Sequence, residues 1–319
     1  MTPDRTRGVS LMRFESEQHR ASFSELRRRA AALVEGMGGG DHPTGIPGMK
    51  VAIRDTSNGT GCTCYEPSVS VILQGRKRSI CGDRSYEYGE GECIVTGVDV
   101  PSRFEIIRND PSDVFMGISL SIDKEVMTEL IAQMPLQPSS SDDECSKVRA
   151  FVVAASSDRV TEAFLNLMRL LDRPEEVTLR TPGLVRDVYC LLLLGDTGPM
   201  IRGLYTKGSS FNRISQAITW LRDNYKEPLS VEQLANSVHM STSSFHRHFK
   251  EITSISPLQY HKRLRLYEAQ RLLISEGIDV NSAAYSVGYM SPTQFSREYK
   301  ALFGLPPGRD ASARRVGLH

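Results

Sequence analysis

No histidine occurs between His42 and His239 in this chain of 319 residues. That interval holds all of the strand-like texture described below. An imidazole-built metal centre in a β-barrel is therefore excluded, and with it most oxygenase-like or isomerase-like metal chemistry. The sequence also lacks any stretch approaching the roughly 18 apolar residues of a membrane span. Its N-terminal Met-Thr-Pro-Asp-Arg has no apolar signal core. The expectation is a cytoplasmic protein with no membrane partner. Cysteine is sparse for the length, with Cys62, Cys64, Cys81, Cys93, Cys145 and Cys190 only, so these read as reduced thiols rather than a disulfide framework.

An excess of charge is missing as well, since the whole chain carries a net charge of +1, but its distribution is uneven. Residues 209–319 hold 14 Lys+Arg against 9 Asp+Glu, and the remainder holds 25 against 29. A basic C-terminal part joined to a mildly acidic one suits a nucleic-acid-binding unit attached to something that is not one. The length predicts about two domains.

Residues 18–35 place Phe23, Leu26, Ala30 and Leu33 at helical spacing, and the glycine run at 36–40 ends that amphipathic helix. The arginines at 27–29 read as its solvated face. From Gly45 to Ile122 short β-branched and aromatic runs are broken by glycine: Val69–Leu73, Arg76–Cys81, Tyr86–Tyr88, Glu92–Gly97, Ser102–Arg108 and Val114–Ser121. This spacing indicates an antiparallel sandwich or small barrel. Helical patterns follow at 123–134, 157–171 and 182–194, with an exposed loop at 135–144 and a linker at 196–208. A second copy of the chain, pairing through the barrel or through residues 157–194, is the expected homodimer partner.

The last hundred-odd residues carry one pattern twice, Ser243-Ser-Phe-His-Arg-His-Phe-Lys250 and Thr293-Gln-Phe-Ser-Arg-Glu-Tyr-Lys300. In each, aromatics at i and i+4 bury on one helix face while the arginine between them projects elsewhere. A short apolar segment and a turn precede each copy. That is a helix-turn-helix pattern, found twice. Ser230, Ser241 and Ser291 are the expected N-caps, and a long helix over 257–275, closed by Gly277, joins the two units.

Leu-Ala-x-x-x-x-Met-Ser-x-x-x-Phe-x-Arg-x-Phe-Lys, then Ser-Pro-x-x-Tyr, Arg-Leu-x-x-Ala-x-x-Leu-Leu, Ala-x-x-Val-Gly-Tyr and Phe-Gly-x-Pro-Pro together resemble the AraC/XylS family of bacterial transcription regulators over about residues 210–308. More loosely, Cys64-Tyr-Glu-Pro-Ser68, Gln74-Gly-x-Lys77, Gly82-Asp83 and Val98-Asp-Val-Pro101 resemble the N-terminal domain of one branch of that family, a cupin-like barrel. Two departures stand out: Ser254 replaces the glycine usual before Ser256-Pro257, and Gly308-Arg309-Asp310 replaces an aromatic-arginine pair. The fold implied is multidomain α+β. A cupin-like antiparallel β-barrel with flanking helices fills residues 1–195, an all-α domain with two helix-turn-helix units fills 209–308, and a tail completes 309–319.

The resemblance implies a non-enzymatic regulator whose two units enter successive major grooves, about 34 Å apart. Ser243, His246, Arg247, Thr293, Gln294, Ser296 and Arg297 are the expected base contacts, and Lys250, Lys262, Arg263 and Lys300 the expected phosphate contacts. Double-stranded DNA and a small-molecule effector are the implied partners, joined by RNA polymerase for an activator. No cofactor or metal is implied. Arg76, Lys77, Arg78, Arg84 and Arg103, with Arg108, point to an anionic effector such as a cyclic dinucleotide. The competing expectation uses Cys62, Cys64, Cys81 and Cys93, within 32 residues of each other, as a thiol sensor or a zinc-binding or alkyl-accepting site.

Overall fold

The structure is a computed structural model that describes residues 15–54, 60–108, 110, 113–135 and 149–316. The expected loop at 135–144 and Cys145 lie outside them, apart from Pro135. Helix α1, Glu17–Leu33, leads into nine strands: β1 Gly40–Pro43, β2 Met49–Arg54, β3 Thr60–Tyr65, β4 Ser68–Gln74, β5 Arg76–Cys81, β6 Arg84–Gly89, β7 Glu92–Thr96, β8 Val100–Ile107 and β9 Phe115–Ser121. After α2, Lys124–Gln133, comes a tenth strand, β10, Phe151–Ala155. Helices α3 Asp158–Leu170, α4 Pro174–Leu194 and α5 Gly198–Tyr205 complete the N-terminal half.

The strands form two antiparallel sheets, one ordered β1-β2-β9-β4-β7-β10 and the other β3-β8-β5-β6. Ring contacts join them face to face: Phe151 of the larger sheet lies 5.5 Å from Tyr65 and 4.9 Å from Tyr86 of the smaller. Period-2 alternation decides which side chains enter this sandwich. On β5 the buried residues are Lys77, Ser79 and Cys81, while Arg76, Arg78 and Ile80 face outward. The larger sheet buries Val51, Val69, Val71, Val95, Ile118 and Leu120. Helix α1 lays Phe23, Leu26 and Ala30 inward beside β4 and α3. Arg27 and Arg29 of its basic run are drawn into ion pairs with Glu90, and with Glu25 and Asp172.

The segment read as a linker differs from that reading. Pro199 stands in the first turn of α5, where a missing N–H costs nothing. Ile201 and Leu204 are then fully buried. Leu204 packs so close to Gly97 that a Cβ there would sit 2.2 Å from its Cδ1.

The C-terminal half is helical: α6 Ser210–Asp223, α7 Val231–Ser237, α8 Thr242–Thr253, α9 Pro257–Arg271 with a π-turn Leu272–Glu276, α10 Val280–Ser286, α11 Pro292–Phe303 and α12 Pro307–Val316. Gly277, at φ 71°, closes the long helix. Ser254 does the work of the glycine it replaces: it adopts φ 65° and returns its N–H to the Lys250 carbonyl. The second departure is also accommodated, because Asp310 is buried and accepts from Gln270, Tyr299 and Arg314. These bonds fasten α12 to α9 and α11, so the expected tail begins inside a helix.

Candidate nucleic-acid interface

Helices α8 and α11 are built alike. Ser241 and Ser291 cap them by accepting from the N–H of Ser244 and Gln294. Phe245 with Phe249, and Phe295 with Tyr299, are completely buried, each pair with ring centroids 5.5 Å apart. With the aromatic seam fixed inward, the intervening residues must face out. Ser243, His246, Arg247, Lys250, Thr293, Gln294, Arg297 and Lys300 are exposed, and Ser296 is half-buried.

The charged members of this set differ in what they touch. Among the described residues, the Arg297 side chain makes no ion pair or hydrogen bond, and the side chains of Lys250 and Lys300 are equally unengaged. Arg247 rests against its neighbour, with its Nη2 3.2 Å from His248 Nε2, and His248 in turn faces Glu251 at 2.8 Å. Lys262 pairs with Glu298 at 3.6 Å, which links α9 to α11. Arg263, half-buried on α9, makes no side-chain ion pair or hydrogen bond among the described residues.

Sequence reasoning missed the residue that holds the two units together. Arg265 donates to the main-chain oxygens of Tyr225, Lys226 and Glu227 beside the first unit, and of Gly288 in the turn of the second. A guanidinium is the side chain with enough donors in one plane for this. Gly288 allows the close approach: a Cβ there would lie 2.2 Å from the Lys226 oxygen, and its φ is +86°. Arg265 is the arginine of the Arg-Leu-x-x-Ala pattern, but its role is not legible there, because its acceptors are backbone atoms far away in sequence.

The same long helix docks on the small sheet. Tyr260 donates to the main-chain oxygen of Asp99 at 2.6 Å, and Arg222 of α6 meets the buried Asp99 carboxylate at 3.2 Å. Burial pushes that carboxyl up from its ordinary value, with Arg222 and Lys124 opposing. Lys124 reaches Thr219 Oγ1 at 2.7 Å, and Arg314 of α12 reaches the Thr60 oxygen at 3.1 Å. The β5–β6 turn at Gly82 abuts Ser254, and a Cβ at 82 would come within 2.7 Å of the Ser254 Cβ. One apolar core accordingly runs from the sandwich through α6, α8 and the start of α9. The second unit has its own core around Phe295 and Tyr299.

The sandwich does not gather the basic residues expected to bind an effector. Arg76 and Arg78 point outward and pair with Glu87, and Arg78 also with Glu105. Arg103 is exposed on β8, and Arg84 and Arg108 are half-buried. Lys77 alone is inside, 6% exposed. The cysteines do not converge either. Cys93 belongs to the larger sheet and Cys62, Cys64 and Cys81 to the smaller, and among the described residues no group of metal-binding side chains assembles. Burial raises these thiols, Cys62 and Cys81 to about 11 and Cys93 to about 12, so thiolate chemistry near neutral pH is disfavoured.

Among the described residues, no helix is long and apolar enough to cross a membrane. A family model described as the AraC-type transcriptional regulator N-terminus matches residues 45–200, and one described as a helix-turn-helix domain matches 234–312. The HTH-type transcriptional regulator ArgR of Pseudomonas aeruginosa is 33% identical over 110 residues, covering 34% of this chain and 33% of ArgR. The HTH-type transcriptional activator RhaS of Escherichia fergusonii is 35% identical over 105 residues, covering 31% and 38%. The chain thus spans about a third of the length of these curated relatives. Among solved structures, an apo ToxT variant from Vibrio cholerae superposes with a TM-score of 0.53 at 8% identity, covering 86% of this chain and 99% of that one. ToxT bound to (E)-4-(8-methylnaphthalen-1-yl)but-3-enoic acid gives 0.52 at 9%, covering 83% and 98%. At such identities the likeness is one of fold, a strand-built N-terminal half followed by a helical one. With residues 45–200 matched by the AraC-type regulator N-terminus and 234–312 by a helix-turn-helix domain, the chain belongs to the AraC family of transcriptional regulators.

Proposed function

We propose that this chain is a DNA-binding transcription regulator in which α8 and α11 enter successive major grooves and the sandwich binds a small-molecule effector. The observation that carries the DNA reading is the pair of equivalent helix faces presenting Ser243, His246 and Arg247, and Thr293, Gln294 and Arg297, with neither arginine in an ion pair among the described residues. Arginine so placed can donate two bonds to guanine, and the short polar side chains reach neighbouring base edges. Lys250 and Lys300 supply phosphate contacts that add affinity without reading sequence. Lys262 and Arg263 of α9 are the further proposed phosphate contacts.

The effector reading rests on the docking of α9 against β3 and β8. A ligand that alters the sandwich alters the surface on which the helix joining both DNA-binding units is seated. A second copy of the chain is the expected further partner. Helix α4 leaves Leu179 83% and Leu194 71% exposed, and this is the face assigned to it.

The test is selection of bound duplexes from a randomised pool by the full chain, followed by footprinting. Two protected segments one helical turn apart are expected. An Arg247→Ala, Arg297→Ala double variant that selects and protects the same sequences with unchanged affinity overturns the reading.

A further inference from the structure

In α8 the residue after Arg247 is buried although Arg247 itself is exposed: His248 is only 8% exposed. Its imidazole packs edge-on against Phe211 of α6, with ring centroids 5.4 Å apart. Two polar contacts then decide where the ring carries its proton. A guanidinium can only donate, so His248 Nε2, 3.2 Å from Arg247 Nη2, is the bare acceptor. The proton of the ring therefore sits on Nδ1, which donates to Glu251 Oε2 at 2.8 Å. Glu251 orients His248, and His248 orients Arg247. The second unit has no such chain. Glu298, which follows Arg297, accepts from Tyr289 and Gln294 and pairs with Lys262. Among the described residues nothing holds the Arg297 side chain. Two arginines at equivalent places in a repeat thus differ in how they are prepared, and the difference traces to His248 in one helix and Glu298 in the other.

We infer that His248, oriented by Glu251, is a positioning residue that presets Arg247 for base reading and so sets the specificity of the first unit at the base Arg247 meets. This rests on the reading of Arg247 as a base contact. A free arginine loses rotamer freedom when it engages a base, and that loss subtracts from the binding free energy. An arginine anchored on a ring already locked by packing has lost much of it beforehand. The anchor leaves the contact available. It uses one of five N–H donors, and a bidentate bond to guanine needs two. His248 itself is too buried to reach a base, so its effect passes through Arg247 alone.

The experiment uses the full chain and its selected duplex, with all four base pairs tried in turn at each position of the first half of the site. Arg247→Ala is expected to relax the preference at one position. His248→Phe keeps a ring against Phe211 and removes the acceptor, and it is expected to lower the preference at that same position about threefold to tenfold, the scale of ordering one flexible side chain. His248→Gln, whose Oε1 can accept from Arg247, is expected to restore most of it. In an Arg247→Ala background His248→Phe is expected to change the preference no further, whereas damage to packing would persist there. An unchanged preference in His248→Phe, a His248→Gln variant no better than His248→Phe, or a loss that persists in the Arg247→Ala background overturns the inference. Nitrogen-15 spectra of the unaltered chain with labelled histidine, the His248 signals assigned by their absence in His248→Gln, are expected to show the Nδ1–H tautomer. The Nε2–H tautomer overturns the inference even should His248→Phe fail to fold. Arg247→Ala without effect sinks the base-contact reading itself, while an effect of Arg247→Ala with none of His248→Phe sinks the positioning role alone.

Discussion

The phenol of Tyr260, in the helix that joins the two DNA-binding units, is completely buried and donates its proton to the main-chain oxygen of Asp99 in the sandwich. Removing only that hydroxyl, Tyr260→Phe, keeps the ring and deletes the bond, at a cost of about 1 kcal/mol to the seam. Faster amide exchange at the start of β8 and in α9, with exchange elsewhere unaltered, is the expected signature in mass-spectrometric hydrogen–deuterium measurements. Identical exchange would show that apolar packing alone sets the docking.

Arg297 and Lys300 lie on one exposed helix face but are expected to act differently. Arg297→Ala should lower affinity for a selected operator by about tenfold or more and relax the preference at one base position, since a bidentate base contact contributes about 1–3 kcal/mol. Lys300→Ala should weaken all sequences alike and reduce the slope of log affinity against log salt by about 1. Binding isotherms on matched and mismatched duplexes at several salt concentrations separate the two, while an unchanged melting temperature excludes unfolding as the cause.

Arg265→Leu should unfold the DNA-binding half more readily. Four main-chain oxygens lose their donor, and the half-exposed site lets water replace only part of what is lost. A destabilisation of about 3 kcal/mol in urea titration is expected, in line with about 1.5–3 kcal/mol for a bond to a charged group. Lysine at 265 should restore little, having no planar fork.

Histidine 261 sets a pH window. It is buried in α9, where burial first and the neighbouring Arg265 charge second push its imidazole down to about 4. The unfolded chain takes up a proton near pH 6.5 that the folded one refuses. Stability is therefore complete above about pH 6.5 and falls as the pH drops toward 4. Melting temperatures of the wild type and His261→Gln should converge across that interval, and parallel curves would rule the histidine out as the cause.

How far the fold could be read in advance follows from what each element depends on. Strands β4 to β9 announce themselves by alternation, and α8 and α11 by aromatics at i and i+4. Strand β3, Thr60-Gly-Cys-Thr-Cys-Tyr65, is too polar and glycine-bearing to stand out, and β10 is fixed by antiparallel pairing with β7, more than fifty positions earlier. Helix α5 was hidden by its glycine and proline, which look like a linker until Gly97 is seen making room for Leu204. The outward faces of α8 and α11 were legible because a helix dictates its own outward residues. Arg265, Asp99 and the inward direction of Lys77 were not, since each is defined by partners brought in from elsewhere in the chain.

The contact of the Gly82 turn with Ser254 has a mechanical consequence. Strand β5 carries Lys77 near one end and runs into that turn at the other, five residues or about 17 Å away. Ser254 ends α8. A push on β5 arrives at the foot of α8 after travelling the length of a single strand. The covalent route from the same strand to α8 winds through the rest of the sandwich and helices α2 to α7, so the shortest line of communication between the halves is one the backbone does not follow.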